Sequence, residues 1–202
     1  MKLNPKKYII NFRYAFRVRK PRLIFRLIST FLGIIFLRRR PLRYVDFAIG
    51  YACNLRCEHC FATALRNDLR RTLTLQEHKS IVKQAMDLGA LNFSFQGGEP
   101  TIYSNLINLI KNSCPRQNLI SVTTNGTLLD EEKILILKKA GVDILTISLD
   151  SAMAEEHDKF RGERGAFEKT MNTIKLALKH GLNVTIGAVA SHNNVRNSGL
   201  ID

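Results

Sequence analysis

The first 43 residues contain no aspartate or glutamate; the first acid in the chain is Asp46. These residues hold 13 of the 31 Lys and Arg side chains, so the segment carries a charge of +13. Residues 44–202 carry 18 basic and 17 acidic side chains and are nearly neutral. The net charge of +14 over 202 residues therefore describes a basic arm joined to an ordinary domain. A long apolar run is also missing. The longest uncharged stretch of the arm, 27–37, has 11 residues, against the ~20 that a membrane-spanning helix needs. A longer reading from Leu23 has to bury Arg26 unless its head snorkels. No small-residue cleavage site follows, since Arg38, Arg39, Arg40 and Pro41 stand there, which argues against a signal peptide. There is no low-complexity tract and no solenoid repeat. Cysteine is scarce, with four residues, yet three of them lie within eight positions. A disulfide framework spreads its cysteines through a small secreted domain. A tight cluster in a larger chain points instead to metal binding in a reducing compartment, so the expected location is cytoplasmic.

The arm has helical patterning. Ile9, Phe12 and Phe16 fall on one side of a helix, Arg13, Arg17 and Lys20 on another, and Pro21 interrupts the pattern. Three readings stay open for residues 1–43. The arm lies in a membrane interface, apolar face down and arginines on anionic headgroups, which would make the protein peripheral on the inner membrane face. Alternatively it packs on the domain as ordinary helices. A nucleic-acid partner is the third, since a basic patch is also its footprint, but no nucleic-acid motif supports it.

From Tyr44 the chain alternates. Short apolar runs at Val45–Ile49, Leu91–Phe95, Leu119–Thr123, Ile144–Leu149 and Val184–Val189 read as strands. Between them lie helical patterns. Thr74 and Glu77 form a capping box for a helix that buries Ile81, Val82, Ala85 and Met86 and stops at Gly89. Leu106–Ile110 belongs to a second helix, and Asp130 caps a third that runs through Lys139 to Gly141. Phe167, Met171, Ile174 and Leu178 predict the buried face of a further helix, closed by Gly181. This alternation predicts a parallel sheet with helices, either a βα barrel or a doubly wound sheet. Special residues follow every strand: Cys53–Cys60, Gly97–Pro100, Thr124–Gly126, Ser148 with Asp150, and His192–Asn194. Five carboxyl ends share one rim only in a barrel; a doubly wound sheet binds mainly at one switch point. The expectation is thus a partial (β/α) TIM-type barrel over residues 44–202, preceded by the amphipathic arm over residues 1–43.

Cys53, Cys57 and Cys60 have the spacing C-x3-C-x2-C. Three thiolates so close suit one metal centre, and three ligands on an iron–sulfur cluster leave one iron open. Cys114 follows the second helix, at the other end of the barrel, and reads as a small buried hydrophobe. Zinc is the competing reading, but it favours four closed ligands, and His59 sits inside the x2 gap.

The motif set resembles the radical S-adenosylmethionine (SAM) superfamily. Cys53–Cys60 is similar to its cysteine signature, Gly97-Gly98-Glu99-Pro100 to its GGEP motif, and Thr124-Asn125-Gly126 to its third-strand ending. Ser148-Leu149-Asp150 with His157-Asp158 and Arg161-Gly162 resembles the branch that includes molybdopterin-type, quinone-cofactor, sulfatase-maturing and SPASM-type enzymes. The resemblance implies that Cys53, Cys57 and Cys60 ligate a 4Fe–4S cluster whose open iron takes the SAM amino and carboxylate groups. It implies reductive cleavage of SAM to a 5′-deoxyadenosyl radical that abstracts hydrogen from a substrate of unknown identity. A peptide or a membrane-associated molecule is the guess. It also implies an electron donor such as a flavodoxin or ferredoxin.

Site roles follow from the same resemblance. Gly97 and Gly98 let backbone approach the ligand, Glu99 offers a carboxylate to the SAM ammonium, and Pro100 stiffens the loop. Ser148 and Asp150 are candidates for the ribose hydroxyls or the SAM carboxylate. Arg161 either pairs with that carboxylate or is a solvated charge. His59 takes the place of an aromatic that packs near adenine. Asn125 is a further candidate, although Asn-Gly is also an everyday turn. His157 and Asp158 read as caps of the following loop, and no general base stands out. Family barrels have about six βα units, and five are legible here. The expectation is therefore a fragment or one part of a split enzyme, with an exposed edge at the fifth strand. A non-catalytic cluster-binding partner and a zinc-bound interaction module are the alternatives.

Overall fold

The structure is a computed structural model that describes residues 20–60, 62–65 and 71–189. Its elements alternate as the sequence suggests. Helix α1 (Pro21–Leu37) precedes β1 (Tyr44–Ala48), α2 (Leu75–Asp87), β2 (Asn92–Gln96), α3 (Leu106–Asn112) and β3 (Leu119–Thr124). Then come α4 (Glu131–Ala140), β4 (Ile144–Ser148), α5 (Ala154–Arg161), α6 (Ala166–Lys179) and β5 (Asn183–Gly187). All five strands are parallel and stand in sequence order, β1-β2-β3-β4-β5. That order selects the barrel reading, because a doubly wound sheet reverses direction at a switch point. The fold is a partial β/α barrel.

The two sheet faces differ in chemistry. Phe93, Phe95, Ile120, Val122, Leu145 and Ile147 are fully buried against helix residues such as Val82, Leu109, Ile134 and Ala177. The alternate positions hold small polar residues, with Asp46 beside Ser94, Ser94 beside Ser121 and Thr123 beside Thr146. Strand alternation thus separates an apolar outer layer from a polar concave face.

Local signals set the helix ends. The Thr74–Glu77 capping box is formed, Asp130 accepts from the Lys133 N–H at 2.8 Å, and Gly141 ends α4 in the left-handed region. Pro21 occupies the first turn of α1, where its missing N–H costs nothing. Helix α5 carries the His157-Asp158 pair but was not foreseen as a helix. Asp158 accepts from the Gly165 and Phe167 N–H groups and so caps the start of α6, while His157, read as a second cap, accepts instead from the Asp150 N–H before the helix.

The buried face of α6 is a correction. Phe167, Met171 and Ile174 are only partly buried and Leu178 is 57% exposed. The inward residues are Ala166, Thr170, Thr173 and Ala177. The reason is local. Thr170 Oγ1 donates to the Asn125 carbonyl at 2.9 Å, and Thr173 Oγ1 to the Gly126 carbonyl at 2.6 Å. Small residues let α6 approach this loop, where large apolar ones would hold it off. In α2 the inward set is His78, Val82 and Ala85, with Ile81 and Met86 half-buried.

Helix α1 lies across the amino ends of the strands. Leu23 and Leu27 pack on Leu91 and Leu119, just before or at the starts of β2 and β3. Lys20 pairs with buried Asp143 at 2.5 Å, before β4. Arg26 donates to the Gln117, Ala90 and Met86 carbonyls and to the Asn118 side chain. The inner face of α1 therefore matches the packing reading of the arm, while residues 1–19, including Ile9, Phe12, Arg13, Phe16 and Arg17, lie outside the described residues. Among the described residues no helix is long and apolar enough to cross a membrane.

Candidate functional site

The loops at the carboxyl ends of the strands enclose one cavity of about 370 Å³. Its walls include Cys53, Cys57, Cys60, His59, Gly97, Gly98, Asn125, Ser148 and Arg161. Its floor carries Gln96, Thr123 and Thr146 from the polar sheet face. Nine of the twelve residues singled out from sequence thus meet in one place. Glu99, Pro100 and Asp150 stand behind that wall. His192–Asn194, after β5, lie outside the described residues.

The cysteine loop is held by two neighbours. On one side the Gly97–Glu99 loop docks against it: the Gly98 N–H donates to Gly50 O at 2.8 Å and the Glu99 N–H to Ala52 O at 2.9 Å. A Cβ on Gly97 would stand 2.2 Å from Gly50 O, and one on Gly98 would stand 2.1 Å from Ala52 O. Gly97 also has a φ of +135°, which side chains avoid. The two glycines therefore permit chain-to-chain contact, a role that sequence reasoning had given to ligand approach. On the other side α5 supports the loop. The Glu58 N–H donates to Phe160 O at 3.1 Å, and Gly162 sits against Arg56 O.

Glu99 is fully buried. Its Oε1 accepts from the Thr101 N–H, the Thr101 hydroxyl and the Thr124 hydroxyl, at 3.0, 2.6 and 2.8 Å. Its Oε2 accepts from the Asn125 N–H at 2.8 Å. This carboxylate ties the ending of β2 to the ending of β3. Pro100 is buried at the start of the 3₁₀ turn Pro100–Ile102. Asn125 extends the network: its amide donates to Asn54 Oδ1 at 2.9 Å and lies 3.9 Å from Cys53 Sγ, while its Oδ1 accepts from Thr127. It forms the Asn-Gly turn, through the Thr127 N–H and Gly126 in the left-handed region, and also crosslinks two loops.

Asp150 and Arg161 form a buried pair at 2.5 Å, and Asp150 Oδ1 accepts from the Val189 N–H. Arg161 is not a solvated charge. Its guanidinium reaches 3.7 Å from Cys57 Sγ. His157 is buried and accepts the Asp150 N–H on Nδ1; burial, and then the Arg161 charge, hold its pKa below the usual value. His59 stacks on Phe160 with ring centres 4.2 Å apart, and burial lowers its pKa. Among the described residues, its Nδ1 and the Arg161 Nε are buried without a hydrogen-bond partner.

Cys114 lies after α3, near the amino ends of the strands, as expected. It is half-buried rather than buried, has a φ of 51°, and contacts the Asn112 carbonyl. No disulfide joins any of the four cysteines. Among the described residues no three His, Cys, Asp or Glu side chains are gathered closely enough to hold a single metal ion.

Several supporting residues escaped the sequence reading. Tyr103 accepts the Ala52 N–H at 2.8 Å and fills the space beside Gly50. Nothing in its sequence position signals this. Thr124 was legible as part of Thr-Asn-Gly, but its bond to Glu99 was not. Phe160 under His59, and Thr170 and Thr173 under the Asn125 loop, are visible only in three dimensions.

The family described as the radical SAM superfamily matches residues 47–195. Among curated relatives, the antilisterial bacteriocin subtilosin biosynthesis protein AlbA of Bacillus subtilis is 33% identical over 153 residues, 75% of this chain and 34% of that protein. The Fe-coproporphyrin III synthase of Methanosarcina barkeri is 33% identical over 144 residues, 71% of this chain and 36% of that one. Among solved structures, anSMEcpe with bound AdoMet superposes with a TM-score of 0.66 at 26% identity, covering 78% of this chain and 46% of that chain. Streptococcus suis SuiB bound to the precursor peptide SuiA gives 0.64 at 26% identity, covering 84% and 39%. The chain thus spans between a third and a half of the length of these proteins.

Proposed function

This chain belongs to the radical SAM superfamily, and from that premise we infer that it forms the SAM-cleaving barrel of an enzyme that abstracts hydrogen from its substrate. One observation carries the reading: three thiols and the Gly97-Gly98 backbone line a single cavity at the carboxyl ends of the strands, with His59 and Arg161 in the same wall. That donor set fits a thiolate-held 4Fe–4S cluster and a polar SAM molecule beside it. When bound, the pair would supply one-electron cleavage of SAM to methionine and a 5′-deoxyadenosyl radical.

The chain's own residues then have definite tasks. Cys53, Cys57 and Cys60 would hold the cluster, and the Arg161 guanidinium lies beside Cys57 Sγ. Glu99 fixes the Gly97–Gly98 loop by tying it to the end of β3, so its carboxylate acts through the loop. His59 and Arg161 stand in the cavity wall, within reach of a bound SAM. His59, held flat on Phe160, offers a ring face for adenine in the place where the resemblance puts an aromatic. Ser148, and Asp150 through its hold on Arg161, complete that wall.

A peptide is the substrate class best supported. AlbA is named for the biosynthesis of a bacteriocin, and SuiB was solved with a precursor peptide. The hydroxyl and amide groups of Thr123, Thr146 and Gln96 on the cavity floor suit a hydrogen-bonding backbone. A flavodoxin or ferredoxin is the expected electron donor. The test is anaerobic reconstitution with iron and sulfide, followed by SAM and dithionite. We expect a brown protein that forms 5′-deoxyadenosine, and the Cys57→Ala protein to keep its fold but lose nearly all product. Zinc without iron and sulfide, or a loaded protein that leaves SAM intact, would overturn the reading.

A further inference from the structure

The site at the carboxyl ends leaves one conspicuous surface unexplained, the outer face of α1. Phe25, Ile28, Leu32, Ile35 and Phe36 recur at one helical stripe and are all exposed, Phe25 at 73% and Phe36 at 75%. The opposite face is fastened to the barrel by Leu23, Leu27, Lys20 and Arg26. The stripe therefore faces away from the strands rather than into the core. Exposed apolar residues on a soluble domain are usually scattered singly, whereas a contiguous stripe marks an interaction surface.

Its surroundings identify the occupant. Arg22 stands at the start of the helix and Arg38, Arg39 and Arg40 at its end, all exposed. Arg39 and Arg40, with Ser29 and Thr30, line a groove of about 380 Å³ between the end of α1 and the Asp87–Gly89 turn. Its one acid, Asp87, is paired with Lys83 at 2.8 Å. No acid precedes Asp46, and residues 1–19 add six more Lys and Arg. An apolar stripe edged by arginines is the chemistry of a helix lying at an anionic lipid surface. Each basic residue near such a surface contributes ~1 kcal/mol. A second copy of this chain is disfavoured as occupant, because two arms of +13 would be brought together.

We propose that α1 is a bilayer-docking helix. Its stripe enters the headgroup–acyl boundary of an anionic membrane, and the Arg39–Arg40 groove takes a headgroup phosphate. The helix thus has two apolar faces with separate work, one closing the amino end of the barrel and one resting on lipid. The geometry also sets an orientation. The cavity opens at the carboxyl ends, across the length of the strands from α1, so it faces solution when the protein is docked. A substrate drawn directly from the same patch of bilayer is then disfavoured, and a soluble one favoured.

The test uses the whole chain and vesicles of phosphatidylglycerol with phosphatidylcholine, against phosphatidylcholine alone. We expect cosedimentation with the anionic vesicles that falls with added salt. The double variant Phe25→Ser/Phe36→Ser should weaken it about tenfold, as expected for lost insertion, with an unchanged melting temperature. The chain has no tryptophan, so Phe36→Trp and Arg164→Trp each give a single reporter, one on the stripe and one on the α5–α6 turn. Brominated acyl chains should quench the first and spare the second. Equal binding to neutral vesicles, undiminished binding of the double variant, quenching at Arg164→Trp alone, or a dimer that the double variant dissolves would each overturn the proposal.

Discussion

The two ends of this barrel are built by opposite means. At the carboxyl ends, the loops after β1, β2, β3 and β4 are joined by buried polar groups: the Glu99 carboxylate, the Asn125 amide and the Asp150–Arg161 pair. At the amino ends, a single helix is laid across the strands by a small apolar cluster and two cationic side chains. Polar networks fix positions closely but fail as a unit when one member is lost, since a buried donor without an acceptor is costly. An apolar contact is tolerant, and a helix can settle after a loss. The site sits at the exacting end, and the tolerant end is available for attachment.

The sharpest way to break this comparison is at Glu99. Glu99→Ala strands four donors in a buried place and should cost about 4 kcal/mol of stability. The denaturant midpoint should fall, with SAM binding lost in the protein that remains folded. If the cost were below that of a surface substitution, the polar network would not be holding the mouth together.

A second test acts between the two ends. His78 is buried among Phe47 and Phe95, with no partner on either ring nitrogen among the described residues. Burial lowers its pKa from 6.5 to about 4. In the unfolded chain the imidazole takes up its proton near pH 6.5, while in the fold it stays neutral until about pH 4. Stability is therefore full above pH 6.5 and falls as the pH drops through this window, by about 3 kcal/mol in all. His78→Phe should flatten that part of the stability–pH curve, measured by chemical denaturation. A decline of equal depth in the variant would assign the acid sensitivity to another group.

The smallest effect is expected at the amino end. Leu23→Ala removes a fully buried side chain from a cluster of few members and should cost about 2 kcal/mol, the low end for such changes, because α1 can move inward. Reconstituted SAM cleavage should be unchanged. Lost cleavage in a folded Leu23→Ala protein would show that the two ends are coupled rather than independent.

Much of this was legible in the residues. Strand positions followed from short apolar runs, because a parallel strand covered by helices must be apolar on its outer side. Helix ends followed from Thr74, Asp130 and Gly141, because caps act within one turn. The site was legible because Cys53, Cys57 and Cys60 are close in sequence and their special neighbours follow successive strands. The face of α6 was not legible. Hydrophobicity pointed to Phe167 and Leu178, whereas Thr170 and Thr173 face inward on account of carbonyls in a loop more than forty positions away. The roles of Gly97, Gly98 and Glu99 shifted for the same reason, since their partners belong to other loops.

By itself, then, the sequence determined the alternation of strands and helices, the rim on which the three cysteines sit and the imbalance of charge between arm and domain. These depend on local periodicity, spacing and composition, which each stretch of chain carries on its own. Only the tertiary structure decided which side chains are used up within the fold and which remain for a ligand. It turned Glu99 inward, paired Arg161 with Asp150, and divided α1 into a face that packs and a face that does not. Those outcomes depend on contacts between residues far apart in the chain, and such contacts exist only once the strands stand side by side.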